Sequence, residues 1–253
     1  MSESEEMKNA LPEGLPKEVF ESLAKVIEEQ DAAEAEIMKF SHEKLAPVLD
    51  KRREHTKKID GFWNTVLEAS GALFDMVSVE DAELLDNLID VYVQWDKENA
   101  RNFTIEFEFK ENAFLENDSL KLSKKFEYKE SKEEGKPSKY VSEPVEINWK
   151  KDMDLTKKAK ENATGEDSFF SWFSFTGEGP GDFREGESIA LTIADDVFPH
   201  ALKFYVEASQ AISDDELEGE FDLDDEEEDG EKEAEHEDAP PKKKAKTDEE
   251  KKE

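Results

Sequence analysis

The sequence predicts an α+β protein: a long N-terminal dimerisation helix, an antiparallel β-sheet flanked by helices, and an acidic C-terminal tail without fixed structure. Three observations carry this reading. Apolar residues recur at three- and four-residue intervals from Pro16 to about Ser70, apolar and polar residues alternate strictly over Phe103–Phe109, and acids crowd the stretch from Asp214 to Asp238. The expected division is a disordered N-terminus over 1–15, the helix over 16–70, an α+β domain over 71–212, the acidic tail over 213–238 and a basic segment over 239–253.

Pro16 suits a helix start. Val19, Val26, Ala33 and Phe40 fall at one heptad position and Leu23, Gln30 and Ile37 at the other, the pattern of a coiled-coil seam. Taken as one helix, the stretch would run about 80 Å, far longer than a small domain is wide. Its seam needs a partner, and a homodimer joined through Leu23, Val26, Ile37, Phe40, Leu45, Leu49 and Ile59 is the simplest answer. Pro47 removes one amide and predicts a kink. A helical hairpin broken there is the rival, but no Gly or Asn turn signal flanks the proline.

A second helix is expected over Val79–Asp96, with Leu84, Leu85, Leu88, Ile89, Tyr92 and Trp95 on one face. The period then changes to two. Phe103–Phe109, Leu120–Tyr128 and Val145–Trp149 read as strands, with Lys129–Ser142 as a polar connection, giving an antiparallel sheet with one wet face. Beyond Asp154 a few helical turns precede SFFSWF at 168–173, whose aromatic density marks a core, and a Gly-rich loop follows at 177–186. A last helix should begin near Asp195 and end near Ser209.

Charge separates the tail from the body. Residues 214–238 hold 17 acids and one Lys, net −16, and residues 239–253 hold six Lys and four acids, net +2, so the chain's −34 leaves −20 on the rest. The acidic run has too few apolar side chains to offset the entropy of ordering it. In the basic end, Pro240-Pro241 precede Lys242, Lys243, Lys244 and Lys246, which read as a nuclear localisation patch. An acidic body repels nucleic-acid phosphates and anionic membranes and draws cationic partners, of which histones are the abundant nuclear class. Cysteine is absent, which excludes disulfides, thiolate zinc sites and a Cys nucleophile. The N-terminus lacks a signal-peptide pattern, and no apolar run approaches the roughly 20 residues of a membrane span.

Catalytic and cofactor motifs are not found. In GEGPGDFREG the acids Glu178, Asp182, Glu185 and Glu187 would repel a phosphate. Asp225–Gly230 mimics the start of a calcium loop, but His236 stands where a bidentate Glu is required. His42, His55, His200 and His236 lie far apart in the chain and compose no nucleophilic or zinc motif. The sequence predicts a binding protein without metal or cofactor, not an enzyme.

FTIEFEFKENAFLEND at 103–118, EINWKKDMDLTKK at 146–158, SFFSWF at 168–173 and DDVFPHALKFY at 195–205 resemble, in order, the signatures of the nucleosome assembly protein family and its SET branch; FWNTVL at 62–67 matches as well. The resemblance implies a headphone-shaped homodimer: the long helix pairs two earmuff domains whose acidic underside binds core histones, with no direct contact to nucleic acid. By position it implies that Ser171 and Ser174, with Glu185 and Glu187, contact histone. The neighbouring acids Glu166, Asp167, Asp195 and Asp196 join that set, and Asp224, Asp225, Glu226, Glu227 and Glu228 extend it into the tail. The expected function is a histone chaperone that takes the tetramer-forming pair, the flanking pair or both, shields their charge and deposits them on DNA. The alternative is a regulatory partner of a histone lysine acetyltransferase or a SET-like phosphatase inhibitor.

Overall fold

A computed structural model describes residues 11–12, 14–131, 138–161, 167–179, 182–183 and 185–221, with side chains as far as residue 211. Residues up to Ile212 form one compact unit. Its frame is a four-stranded antiparallel sheet in the order β1 (Leu88–Trp95), β2 (Phe103–Phe109), β3 (Lys121–Lys129) and β4 (Lys139–Ser142). Strand β2 sits centrally and alternates as its sequence demands: Phe103, Ile105, Phe107 and Phe109 are buried while Thr104, Glu106 and Glu108 stay half-exposed. Its buried face meets the aromatic turn Phe169–Ser174, a 3₁₀ helix in which Phe169, Phe170, Trp172 and Phe173 are all buried. The expectation that these aromatics form core holds.

Helix α1 (Lys17–Thr56) crosses Pro47 unbroken. It stops fourteen residues short of the expected Ser70, with Lys57 as its C-cap, and after a turn Gly61, at φ 71, precedes a separate helix, α2 (Phe62–Ala69). No L side chain adopts that φ cheaply, so the glycine suits the junction before α2, while Pro47 does not interrupt α1. Phe62, Trp63, Val66 and Leu67 of α2 are therefore core, not seam.

Helix α3 (Gly71–Phe74) and helix α4 (Val79–Leu85) follow. Ser78 and Asp81 form a capping box at the start of α4, each side chain bonding the other's backbone amide. The single helix expected over Val79–Asp96 is corrected here: α4 ends at Leu85 and Leu88–Trp95 is strand β1. Its β-branched and aromatic residues pair with β2 from Asp90↔Glu108 to Trp95↔Phe103, and this long-range ladder outweighs a helical spacing in the local sequence.

Two further expectations are corrected. Val145–Trp149 is extended but is no strand of the sheet: it carries one isolated bridge, Leu115↔Trp149, and is tied further by the Val145 amide to the Phe173 carbonyl and by the Asn148 amide to Ser119 Oγ. The fourth strand lies instead at Lys139–Ser142, inside the stretch read as a polar connection, with Tyr128 opposite Tyr140. The final helix is longer than expected. Helix α5 (Leu155–Glu161) precedes the aromatic turn, and helix α6 (Gly186–Leu191), a π-helical segment Thr192–Val197 and helix α7 (Phe198–Phe221) follow it, with a kink at His200.

From Asp31 onward α1 is fastened to the sheet layer and to the start of α7 by polar side chains. Arg53 donates to the buried Asp90 at 2.5 Å, Lys57 to Glu108 at 2.6 Å, and Arg52 to the carbonyls of Phe198 and Pro199 at 2.5 and 3.1 Å. Tyr92 donates to Asp50, Arg101 to Asp31, and His42 stacks on Trp95 at 4.2 Å. Leu49, expected in the dimer seam, is 6% exposed and belongs to the protomer's own core. Val26, Ile37, Phe40 and Val48 remain 57–68% exposed.

Lys124 is fully buried in β3, and its ammonium donates to the carbonyls of Glu143, Phe173 and Phe175 at 2.8–3.0 Å. Lys124→Met removes three bonds from a dry position and is expected to cost about 3 kcal/mol in denaturant unfolding. Burial lowers the Lys124 pKa to about 8 from 10.5, with Asp182 pulling the other way. Between those values the unfolded chain binds the extra proton, so stability contributed at this residue rises with pH across that window. The wild-type advantage over Lys124→Met should therefore widen from pH 8 to 10.5.

Candidate functional site

The aromatic turn is held at both ends by buried charge. At its start the fully buried Asp81 accepts from Ser168 Oγ at 2.5 Å, from the Phe169 amide at 2.8 Å and from the Ser78 amide at 3.1 Å. At its end Lys124 holds the Phe173 and Phe175 carbonyls. A carboxylate at the N-terminus and an ammonium at the C-terminus match the polarity of the turn's peptide dipoles. Trp172 Nε1 adds a bond to the Gly186 carbonyl at 2.8 Å, tying the turn to α6.

The loop after the turn folds around Asp182. Its carboxylate accepts from the Thr176 amide and hydroxyl and from the Gly177 amide at 2.5–3.1 Å. Burial opposes its ionisation, but these donors, with the Phe183 amide, outweigh burial and leave its pKa below the ordinary value. Two glycines are required nearby. A Cβ on Gly177, at φ +74, would stand 2.3 Å from the Tyr140 carbonyl oxygen, and one on Gly186 would stand 2.1 Å from the Phe175 ring.

These ties build a cleft of about 930 Å³. Phe170, Ser171, Phe173 and Ser174 of the turn, Phe74–Ser78 between α3 and α4, the extended residues Val145, Ile147 and Trp149, Thr156 and Lys160 of α5, and Asp167, Asp182, Phe183 and Glu185 line it. Ser174 Oγ donates back to the Ser171 carbonyl at 2.7 Å, while Ser171 Oγ has no hydrogen-bond partner among the described residues. Among the described residues that line it, four carboxylates, of Asp75, Asp167, Asp182 and Glu185, accompany one ammonium, of Lys160. The cleft can attract a cation and offer it apolar contact.

A family model described as nucleosome assembly protein (NAP) matches residues 12–208. The chain belongs to the NAP family. This NAP-family chain is 36% identical over 209 residues to a Schizosaccharomyces pombe protein named for nucleosome assembly, covering 79% of this chain and 84% of the relative. It is 30% identical over 224 residues to vacuolar protein sorting-associated protein 75 of Saccharomyces cerevisiae, covering 81% and 84%. A crystal structure of the Vps75 histone chaperone superposes with a TM-score of 0.61 at 28% identity, covering 76% of this chain and 99% of that one. A crystal structure of Ccp1 gives 0.69 at 34% identity, covering 76% and 96%.

Of the residues expected to contact histone in this NAP-family protein, the fold brings Ser171, Ser174, Asp167 and Glu185 together in the cleft. Glu187 and Asp195 are not among its lining residues; both lie near Tyr140 of the edge strand β4. Asp196 is exposed and pairs with His200 at 3.1 Å. Glu166, Asp224–Glu228 and Lys242, Lys243, Lys244 and Lys246 lie outside the described residues. Phe74, Asp75, Met76 and Val77 of the cleft went unread in the sequence. Their signal is the Ser78–Asp81 capping box, which starts α4 at Val79 and leaves the apolar residues before it in a connection.

Burial raises the pKa values of both Glu187 and Asp195, with the Tyr140 amide and Lys139 opposing the rise at Glu187. Asp195 is nonetheless exposed by area. Both hold for a carboxylate that water reaches from one side while protein surrounds it on the others. An acid whose folded pKa lies above its unfolded value costs stability at neutral pH, and the cost vanishes as pH falls below the unfolded value. Asp195→Asn should accordingly raise the melting temperature at pH 7, and the difference should close in acid; a lower melting temperature at pH 7 would show that Asp195 is structural.

Proposed function

We propose that the protein is a nuclear histone chaperone that binds core histones through the carboxylate-lined cleft and its surroundings, shields their charge and releases them to DNA. The observation that carries this is the co-location of Ser171, Ser174, Asp167 and Glu185 in one cleft, on a body with net charge −20 outside the C-terminal segments. Family membership and the likeness to a structure titled as that of a histone chaperone support it. DNA holds histones mainly through phosphate charge, and a preformed acidic surface competes in the same terms. Asp224–Glu228 serve as an auxiliary anionic screen, and Lys242–Lys244 with Lys246 as the nuclear address. Glu187, Asp195 and Asp196 widen the acidic field beyond the cleft.

The same proposal includes a homodimer. On α1, Val19, Leu23, Val26, Ile37, Phe40 and Leu45 are 38–68% exposed at the spacing of a helical seam, and Ile59 beyond the helix is 39% exposed. A second α1 covers such a stripe and places two clefts on one particle. Whether the chain also regulates an acetyltransferase or a phosphatase is read by pull-down of a stable enzyme complex after histones are stripped.

Two measurements test these statements. Affinity for either histone pair should fall steeply, by at least tenfold, between about 0.1 and 0.5 M salt, as screening shortens the Debye length; affinity indifferent to salt overturns charge shielding. The double substitution Ile37→Asp, Phe40→Asp should halve the mass by light scattering with the protomer's far-ultraviolet circular dichroism retained, because both side chains are more than 60% exposed within the protomer. An unchanged mass would place the dimer contact elsewhere.

A further inference from the structure

Charge alone does not account for the cleft. Val145, Ile147 and Trp149 alternate with the exposed Glu146 and Asn148, so the period-two pattern of this segment turns one apolar face into the cleft without a strand ladder. Phe74, Met76 and Val77 line the same cleft. Phe74 is 55% exposed, while Met76, Val77, Val145, Ile147 and Trp149 are half-buried. An exposed aromatic ring among half-buried apolar side chains, at a cavity with a polar rim, marks a place where something docks. A surface meant only to screen charge has no use for them, because they add nothing to long-range attraction and lower solubility.

The rim states the partner's sign. Among the described lining residues Asp75, Asp167, Asp182 and Glu185 outnumber Lys160, and Asp182 is spent on the loop amides, which leaves the carboxylates of Asp75, Asp167 and Glu185 to meet cations. The cleft, about 930 Å³ and open, accommodates several side chains of an extended chain. We infer that it is a peptide groove for an extended Lys/Arg-rich segment carrying one bulky aliphatic side chain, which seats between the Phe74 and Trp149 walls while its cationic neighbours meet Asp75, Asp167 and Glu185. The inference rests on the chaperone reading and deepens it: the cleft selects a tail-like segment by an apolar anchor, and the acidic field outside it supplies the less selective attraction. Salt weakens the second contribution and spares the first.

Fluorescence anisotropy with the full chain tests this, using two synthetic lysine-rich peptides of equal charge that differ only in one central leucine or serine. The leucine peptide should bind about tenfold tighter, the equivalent of burying part of one aliphatic side chain, and should keep that ratio at high salt. Phe74→Ser, at an exposed position whose melting temperature serves as the control, should erase the leucine advantage and leave the serine peptide's affinity unchanged. Equal binding of the two peptides, or an advantage that survives Phe74→Ser, overturns the groove. So does a change in mass of Phe74→Ser by light scattering, which would assign the apolar lip to a second copy of the chain. Folded histone pairs titrated in parallel separate the two levels: histone binding without a leucine preference removes the groove alone, and loss of both removes the chaperone reading with it.

Discussion

The aromatic turn Phe169–Ser174 depends on two buried ions, and the candidate site depends on the turn. Asp81 receives the donors at its start and Lys124 supplies donors at its end, so a short 3₁₀ segment lies fixed across the sheet. Neither ion contacts the other's partners. Each is satisfied by neutral donors or carbonyls, which spares the fold an isolated buried charge. Lys124 also reaches the Glu143 carbonyl and thereby sets the entry to Val145–Trp149, while Asp81 belongs to the capping box of α4 and sets Phe74–Ser78. Both walls of the cleft and its floor thus hang from the same two side chains.

The protomer divides its long helix between two tasks. Polar side chains from Asp31 to Lys57 anchor α1 to the sheet layer and to the start of α7, whereas the apolar stripe from Val19 to Val48 is left uncovered. Polar anchoring on one side suits this arrangement, because two apolar faces on one helix would leave its orientation ambiguous. Arg53, Lys57, Asp90 and Glu108 give it a defined register, with Asp90 buried between its cations. Removing one cation leaves the buried Asp90 the other, whereas removing both leaves it buried and unpaired, so the group depends most on keeping a cation beside Asp90.

Carboxylates in this chain serve different ends according to what surrounds them. Asp81 and Asp182 are saturated with donors and hold structure. Asp195 and Glu187 are partly enveloped by protein with pKa values raised, a cost to stability with no compensating bond at Asp195. Acids that cost stability yet face solvent are candidates for binding, and a cationic partner would reverse the cost.

Composition, charge and period alone determined that this chain is α+β, begins with a long amphipathic helix, carries a strand at Phe103–Phe109 and buries SFFSWF. Each is a local statement, since helix and strand periods write themselves into consecutive side chains. Only the tertiary structure decided the rest. Leu88–Trp95 became a strand because β2 was there to pair with it, and Val145–Trp149 kept its alternation without a ladder because its apolar face borders a cleft. Helix α1 ran through Pro47, since a proline's missing amide is tolerated on an exposed helix face, and ended at Thr56, before the left-handed Gly61 that precedes α2. The cleft joins residues from 74 to 185 through Asp81 and Lys124, contacts between side chains more than eighty and forty residues from their partners, which no local pattern encodes.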